Sequence, residues 1–221
     1  MARRGPYAKG VAKREEILNT ALEIVARVGY GRTTVRELSL AVGLSQNGLL
    51  HYFGSKEQLF VEILRRRDEV DLHANDAGPA PTDYMHDLAE VMGTLLRHNA
   101  QVPGLVQLYS QFSSEATDPD HPAHPYFRGR FRTARSEISA SLRAQQESGD
   151  LSPELDADRL AVIIVALTDG LQAQWMYDAE VDMADHLAYL FSLLGTGAAT
   201  RRGEPTGEPA HPVDTDRHTR G

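Results

Sequence analysis

Apolar residues recur at intervals of three and four over most of this chain, the spacing that places them on one face of an α-helix. The first such stretch runs from about Lys13 to Val28. A second covers about Glu57 to Leu72, and the pattern returns in five further segments between Asp83 and Leu194. No stretch shows the strict alternation that is typical of strands. The pattern therefore predicts an all-α protein of about nine helices, once the two short helices described below are included.

Clusters of turn-forming residues separate the predicted helices. Residues from the group Gly, Pro, Asp and Ser occur together at 73–82, 117–125 and 149–153, and a Pro marks a further break at 101–103. The part of the chain beyond residue 82 should therefore form a bundle of about five helices. Residues 196–221 combine Gly, Pro, Thr and charged residues without periodicity, which predicts a disordered tail.

Two short helices with a Gly-centred turn are predicted between the first two long helices. Thr34 and Glu37 form a capping box, in which each side chain bonds to the backbone N–H of the other residue at a helix start. Gly43 ends this helix, because Gly adopts the left-handed backbone of a helix C-terminus without steric cost. Ser45 is placed to cap the next helix, which we predict from Gln46 to Phe53. This is the arrangement of a helix-turn-helix, whose second helix enters the major groove of DNA.

Polar residues on and after this second helix are candidates for contacting DNA. Gln46 and Asn47 carry amides that can pair with adenine, so we place them over base edges. We place Gly48 where a close approach of the helix backbone to the DNA is useful. Lys56 lies in the first turn of the following helix, where the helix dipole disfavours a cation. Lys56 therefore suits an external phosphate better than it suits fold stability.

The stretch TTVRELSLAVGLSQNGLLHYFGSKEQL (33–59), with the preceding KREEILNTALEIVARVGY, resembles the DNA-binding domain of the TetR (tetracycline repressor) family of bacterial regulators. The resemblance implies a homodimeric transcriptional regulator, most often a repressor, that a small molecule releases from a palindromic DNA operator. It also implies phosphate contacts from Thr34, Ser45, His51, Tyr52 and Lys56. Many members carry Tyr where this chain has Leu50, so no phosphate contact is transferred to that position.

Charge is divided unevenly along the chain and agrees with a DNA-binding N-terminal part. Residues 1–67 hold 12 Lys or Arg and 6 Glu, a net charge of +6. Because the whole chain has a net charge of −8, the remaining residues carry −14. A basic module on an acidic body is typical of a DNA-binding protein with a second function. We predict a basic flexible arm at 1–12, a helix-turn-helix domain at 13–60, an effector-binding and dimerisation domain at 61–195, and the tail at 196–221. The candidates for DNA contacts from the arm are Arg3, Arg4, Lys9, Lys13 and Arg14. Alternatively, these residues only keep a frayed chain end soluble.

The last two predicted helices indicate a second subunit. The segment from Arg159 to Tyr177 is apolar almost all round in its first half, so it must be covered on more than one side, either as a fully internal helix or by a partner subunit. Pairing it and the following helix with a second copy would form a four-helix interface, which the resemblance of TDGLQAQW to one TetR subgroup also implies. Two recognition helices about 34 Å apart would then contact a palindrome. The interface candidates are Ile163, Leu171, Leu187, Leu190, Phe191 and Leu194.

A ligand-controlled regulator needs an effector pocket, and the C-terminal part contains residues suited to lining one. Asp169 stands out, because a carboxylate in an apolar helix needs a partner or an open cavity. For each aromatic candidate, simple core packing is an alternative explanation. The pocket candidates are Met85, Leu105, Tyr109, Phe112, Phe127, Phe131, Asp169, Gln172, Trp175 and Met176.

Composition narrows the possible function classes. The chain has 221 residues, of which 41% are apolar and 24% charged, values ordinary for a folded soluble protein. We expect no membrane span or secretory signal, and the lack of Cys fits a reducing cytoplasm.

No nucleophile motif, phosphate loop or paired carboxylates indicate an enzyme, and no cofactor is expected. A zinc site at Asp118, Asp120, His121 and His124 is conceivable, but a polar turn explains these residues better, so we predict no metal. The alternative function is a helical ligand-binding or adaptor protein that keeps the helix-turn-helix only as a scaffold.

Overall fold

The computed structural model describes residues 6–76 and 88–202, and this part of the chain forms nine α-helices with no strand. The all-α prediction is thus confirmed. A single 3₁₀ turn, Tyr30–Arg32, follows the first helix. The helices are α1 (Pro6–Val28), α2 (Val35–Ala41), α3 (Gln46–His51), α4 (Lys56–Asp76), α5 (Leu88–Gln101), α6 (Pro103–Glu115), α7 (His124–Ser148), α8 (Ala157–Tyr177) and α9 (Met183–Arg202).

Both ends of the described chain are more helical than predicted. Helix α1 begins at Pro6, because Pro is well tolerated in a first helical turn, where its missing N–H has no partner to lose. The predicted arm at 1–12 is therefore helical from residue 6, and Arg3 and Arg4 lie outside the described residues. At the other end, α9 continues through Arg202, so the first seven residues of the predicted tail are helical. Residues 77–87, which include Met85, and 203–221 also lie outside the described residues.

The helix-turn-helix has the local structure that its sequence predicts. The Thr34 hydroxyl accepts a hydrogen bond from the backbone N–H of Glu37 (3.1 Å), and the Glu37 carboxylate accepts one from the N–H of Thr34 (2.9 Å). Gly43 has a φ of 69°, in the left-handed region. The Ser45 hydroxyl accepts from the N–H of Gly48 (3.0 Å) and so starts α3. This helix ends at His51, two residues before the predicted end.

Two clusters of buried apolar side chains hold the helices together. The first joins α1–α4 to α6 and the start of α7, and its largest fully buried members include Phe60 and Phe112. The second lies among α5, α7, α8 and α9, around Leu96, Leu142 and Ile164. The helix-turn-helix and α6 therefore share one core, which fixes the DNA-binding part firmly to the rest of the molecule.

Helix α8 is apolar on a side that no other described element covers. It spans 21 residues, and an 18-residue window within it has a mean hydropathy of 1.2, so by length and composition alone it could cross a membrane, as the core helices of soluble proteins also could. In the structure it packs against α7 and α9, which makes it an element of the bundle. Val162 and Ile163 on its outer side remain 49% and 53% exposed. The bundle thus leaves one apolar face without a partner.

Candidate nucleic-acid interface and effector site

Helix α3 presents polar side chains outward because its apolar side is anchored in the core. Leu49 is fully buried, and Phe53, just after the helix, is buried beside it. Gln46, Asn47 and His51 are all exposed on the solvent side. The structure therefore brings the two predicted base-contacting amides and one predicted phosphate contact onto the accessible surface of the recognition helix.

Two of the predicted phosphate contacts also have structural roles. The hydroxyls of Thr34 and Ser45 accept the capping hydrogen bonds of α2 and α3. Gly48 is restricted as well, since a Cβ added there would lie 3.1 Å from the Ser45 Oγ. These three residues define the shape of the turn whether or not DNA is present.

Lys56 and Tyr52 flank the end of α3. Lys56 is exposed, and its Nζ lies 5.8 Å from the centre of the Phe60 ring. Within the described part of the chain, no carboxylate forms an ion pair with it. Tyr52 is half-buried, with its ring edge toward His51. An exposed cation at a helix N-terminus is left to interact with a group from outside, as its sequence position predicts.

A cation on α2 was missed by the sequence analysis. Arg36 lies in the first turn of α2, is exposed, and its guanidinium has no hydrogen-bond partner among the described residues. The argument applied to Lys56 identifies it equally well, because the dipole of α2 also disfavours a cation at that position. Arg36 therefore joins the candidate DNA contacts.

Two residues predicted for a flexible arm instead bind within the domain. Lys13 Nζ donates to the backbone carbonyl of Val42 (2.8 Å), the C-cap of α2. The Arg14 guanidinium lies 5.0 Å from the centre of the Phe53 ring and pairs with Glu62. Both side chains hold helices of the helix-turn-helix together, because α1 is helical from well before residue 13 and fixes their positions.

Several predicted pocket residues are core residues. Phe112 packs edge-on against Tyr30, with ring centres 5.5 Å apart, and also contacts Phe60. It therefore joins α6 to the DNA-binding part. Leu105 and Phe127 are buried in the same cluster, and Phe131 packs against it. These four residues pack in one core where α6 docks on α1 and α4, and their place in an effector pocket stays a prediction.

Asp169 has the partner that its position in an apolar helix requires. The Tyr109 hydroxyl donates to Asp169 Oδ1 over 3.2 Å, and the Arg130 guanidinium lies 5.2 Å from the centre of the Tyr109 ring. Burial, together with the Asp169 carboxylate, raises the pKa of Tyr109 to about 12. Burial also raises the pKa of Asp169, although Tyr109 and Arg130 oppose this shift.

Consecutive residues of α4 connect to the interior of the bundle in two directions. Arg67, 4% exposed, donates to Asn99 Oδ1 (2.6 Å), and Asn99 donates to Gln172 Oε1 on α8 (3.2 Å). Asp68 accepts from the Tyr126 hydroxyl (2.7 Å) and pairs with Arg130 on α7. Through these bonds the helix that follows the recognition helix is linked to α5, α7 and α8.

An open cavity lies at one end of this bundle. Its volume is about 500 Å³, and it is lined by the ends of α5 and α8 and by the α8–α9 connection. Among the predicted pocket residues, Trp175 lines it, whereas Gln172 is buried in the polar network and Met176 points to the surface.

The exposed apolar face differs from the predicted dimer interface. Leu171 and Leu187 are buried within the subunit, since they pack between α8 and α9. Leu190, Phe191 and Leu194 are half-buried against the same cluster, and Ile163 is exposed as predicted. The large exposed apolar residues of these two helices are Val162, Ile163, Met176, Tyr177, Tyr189 and Leu193.

The His- and Asp-containing loop at 117–124 is stabilised by its own hydrogen bonds. His121 Nδ1 accepts from the N–H of Ala123 (3.1 Å), and the Asp118 carboxylate accepts from the N–H of Asp120 (3.0 Å). His124 Nδ1 lies 2.8 Å from the carbonyl oxygen of Ala116. These contacts are those of a polar turn between α6 and α7.

Comparisons with known proteins agree with this geometry. Residues 17–63 match the model for bacterial regulatory proteins of the tetR family, and residues 86–194 match that for the C-terminal part of BetI-type transcriptional repressors. The repressor AcnR of Corynebacterium glutamicum is 42% identical over 166 residues, which cover 73% of this chain and 81% of AcnR. The repressor KstR2 of Mycobacterium tuberculosis is 25% identical over 87% of this chain and 95% of its own length.

The fold is also that of solved regulators. A TetR transcription regulator from Haloarcula marismortui superposes with a TM-score of 0.69 at 16% identity, covering 85% of this chain and 98% of that protein. With the exposed α3 and the matched sequence relatives, these findings establish the class of the molecule. The chain belongs to the TetR family of transcriptional regulators, which bind DNA and are not enzymes.

Proposed function

We propose that the protein is a repressor that binds a palindromic operator as a homodimer and is released from it by a small-molecule effector. The observation that carries the proposal is the exposed polar side of α3, with Gln46 and Asn47 held outward by the fully buried Leu49. Side-chain amides in this position suit adenine edges in the major groove. The repressor assignment follows the names of the relatives AcnR and KstR2.

Cations around α3 would set the position of the domain on the DNA backbone. Lys56 and Arg36 are both exposed at helix N-termini. In sequence, His51 and Tyr52 lie between the base-contacting residues and Lys56. Phosphate contacts of this kind give affinity but little sequence discrimination. We therefore assign base selection to Gln46 and Asn47, and positioning to the remaining candidates.

The apolar face of α8 and α9 supports a second copy as the partner. Ile163, Tyr177 and Tyr189 are large apolar or aromatic residues exposed on adjacent helices of the same subunit. Between the bulky residues of α8 lie Ala166 and Gly170, which allow a facing helix to approach closely. A two-fold axis through this face pairs the two helices with their copies and presents two α3 helices to one DNA molecule.

Effector control would act through the bonds between α4 and the bundle. Gln172 and Asp169 on α8 are linked to Asn99 and Tyr109, and through these to Arg67 and Arg130. A ligand that favours a different arrangement of α7 and α8 would move α4 and change the spacing of the two recognition helices. Its effect is limited to its difference in affinity for the two arrangements.

Selection from a pool of random palindromes, followed by fluorescence anisotropy over a range of salt concentrations, tests the proposal. Lys56→Ala should make the binding constant depend less steeply on salt concentration, by the amount expected for the loss of about one phosphate contact per subunit. Asn47→Ala should weaken binding to the selected palindrome by about 1–3 kcal/mol per half-site and should leave binding to non-specific DNA unchanged. Glu137→Gln on α7, far from α3 in sequence and exposed, is the matched control.

The same experiment separates the regulator from an adaptor protein that retains the helix-turn-helix as a scaffold. An adaptor would enrich no palindrome above non-specific binding, and neither substitution would change its behaviour. Enrichment that both Asn47→Ala and Lys56→Ala reduce is expected only of the regulator.

A further inference from the structure

Asn47 and Gly48 on the recognition helix form a pair that is chemically reactive as well as suited to DNA. The chain has four Asn residues, and Asn47 is the one that precedes a Gly. A backbone nitrogen can attack the side-chain amide of the Asn before it, and a following Gly hinders this attack least because it has no Cβ. Asn47 is exposed, so water reaches its amide. The sequence around it therefore favours spontaneous deamidation.

The structure gives a reason for each member of this pair. The amide of Asn47 faces outward, where it suits an adenine edge. Gly48 fits the turn closely, since a Cβ added there would lie 3.1 Å from the Ser45 Oγ. Replacing either residue would therefore disturb the DNA-binding surface or the turn that supports it.

A hydrogen bond from the helix cap restrains the attacking nitrogen. The Gly48 N–H donates to the Ser45 Oγ over 3.0 Å. The first backbone bond of α3 forms one residue later, from the Leu49 N–H to the Ser45 carbonyl oxygen (2.8 Å). N–H groups in a first helical turn have no backbone acceptor within their own helix, so the side-chain cap takes that place. The Ser45 hydroxyl thus keeps the Gly48 nitrogen engaged in its helical position.

Helix α3 is short enough to open at this end. It has six residues, and isolated helices shorter than about 12–15 residues are marginally stable in water. Leu49 anchors the helix in the core, whereas Ser45 and Asn47 are both exposed. Local opening of such a segment costs much less free energy than unfolding of the core. Each opening releases the Gly48 nitrogen from its cap.

We propose that Asn47 is a site of spontaneous deamidation that inactivates the DNA-free protein, at a rate set by the Ser45 cap. The Gly48 nitrogen bonds to the Asn47 Cγ, and the Cγ–Nδ2 bond breaks. The amide nitrogen leaves as ammonia with the proton of the Gly48 nitrogen, and a cyclic imide remains. Water then adds to either imide carbonyl, which gives aspartate or isoaspartate at position 47.

Both products remove the group that would pair with adenine. A carboxylate at position 47 has no N–H to donate to a base, and it repels the DNA phosphates. Isoaspartate also adds an atom to the backbone of α3. In the operator complex the groove would hold α3 closed, so the amide should persist there. This protection by DNA rests on the proposed function, whereas the reaction in the free protein does not.

Mass spectrometry of the full-length protein, incubated without DNA at mildly alkaline pH, tests the reaction. Conversion of Asn47 is measured in the tryptic peptide 37–56, with Asn19 and Asn99 as internal controls. Asn19 precedes Thr and accepts from the Arg66 Nε (2.9 Å), and Asn99 is 2% exposed. Asn47 should convert faster than both. Equal rates at the three sites, or no conversion of Asn47 while the isolated 37–56 peptide converts completely, would overturn the site.

Two variants at position 45 test the role of the cap. Ser45→Ala should speed conversion of Asn47 by about fivefold, the change in population that follows from losing one such cap. Ser45→Thr keeps a hydroxyl acceptor and is the matched control, with a rate within about twofold of the wild type. A wild-type rate in Ser45→Ala would overturn control by the cap.

Converted protein carries one more negative charge than unconverted protein, so ion exchange separates the two forms. The converted form should lose binding to the selected palindrome, and full binding would overturn the inactivation. The same palindrome at about 100 times its Kd should slow conversion at least about tenfold relative to a shuffled duplex, and an unchanged rate would overturn the protection.

Failure of this inference is distinguishable from failure of the proposed function. Conversion of Asn47 in the free protein, and its dependence on Ser45, are measured without DNA. A protein that enriches a palindrome but keeps Asn47 intact loses only the deamidation site. A protein in which Asn47 converts but which enriches no palindrome loses the repressor function and, with it, the protection by DNA.

Discussion

Replacing Gly104 by Ala tests the attachment between the DNA-binding part and the bundle. An added Cβ would lie 2.0 Å from the carbonyl oxygen of Val25 and 2.8 Å from the Cα of Gly29, both backbone atoms of the α1 C-terminal region. Ordinary carbon–oxygen contacts are about 3.3–3.6 Å long. The two helices must therefore separate by roughly 1.3 Å, because no side chain can move aside to relieve the contact.

The free energy of unfolding should fall despite the better helix propensity of Ala. Ala stabilises a helix by up to about 1 kcal/mol relative to Gly, whereas forcing extra atoms into a packed contact costs about 1–3 kcal/mol or more. The separation also loosens the packing of Phe112 against Tyr30 and Phe60, which lie in the same core. We expect a net loss of about 1–3 kcal/mol, and a melting temperature lower by roughly 2–4 °C for each kcal/mol.

Thermal unfolding followed by circular dichroism measures this loss, and Gly129→Ala is the matched control. Gly129 is also helical, in α7, but a Cβ there would meet nothing within 4 Å. The control should therefore be as stable as the wild type, or more stable by up to about 1 kcal/mol. If Gly104→Ala and Gly129→Ala melt at the same temperature, the close contact between α1 and α6 does not constrain the protein as we argue.

Further predictions concern the outer face of α8 and its polar bonds. Ile163→Glu places a charge on the exposed apolar face, so sedimentation should show monomers at concentrations where Ala140→Glu on α7 still forms dimers. Asp169→Asn removes a carboxyl group whose pKa burial raises above the ordinary value of 3.8. Because the native wild type holds this proton more tightly than the unfolded chain does, the wild type loses stability as the pH rises above 3.8. The variant should melt above the wild type near neutral pH and lose this advantage below about pH 4, and a pH-independent difference would contradict the assignment. Asn99→Ala removes a buried acceptor of Arg67 and should lower the unfolding free energy in urea by about 1–3 kcal/mol, whereas a loss under about 0.5 kcal/mol would refute a structural role for this bond.

The features that could be predicted from sequence are those with local causes. The capping box at Thr34, the left-handed Gly43 and the cap at Ser45 each depend on residues no more than three positions apart. The exposure of Gln46 and Asn47 also has a local cause, because the buried Leu49, two or three residues later on the same helix, fixes which side of α3 faces solvent. Local rules of this kind predicted the helix-turn-helix, whereas the family followed from the resemblance of the same stretch to TetR regulators.

The features that were missed depend on contacts between distant parts of the chain. Lys13 bonds to the carbonyl of Val42, 29 residues away, so nothing near Lys13 distinguishes it from a residue of a flexible arm. Phe112 has the spacing of any core or pocket residue, and only the docking of α6 on α1 directs it to Tyr30.

Helix α8 shows a second limit of sequence periodicity. It is apolar on nearly all sides, so periodicity could not decide which apolar side faces the subunit core and which faces outward. In the structure Leu171 turns inward and Ile163 outward. Composition predicted that a second side of this helix must be covered, but not which residues form that side.

The connections of α4 explain why a change in the bundle would reach the DNA-binding part. Arg67 and Asp68 are consecutive, so their side chains leave the helix about 100° apart and bond separately to α5 and α7. A relative movement of those two helices therefore cannot leave α4 in place. Lys56 lies eleven residues before Arg67, or roughly 17 Å along the same helix, so a small tilt at Arg67 becomes a larger displacement beside α3. The close contact at Gly104 joins α6 to α1 as well, so a movement of the bundle helices would reach α1 together with α4, and the resulting rotation of the recognition helix would change the spacing that a palindrome requires.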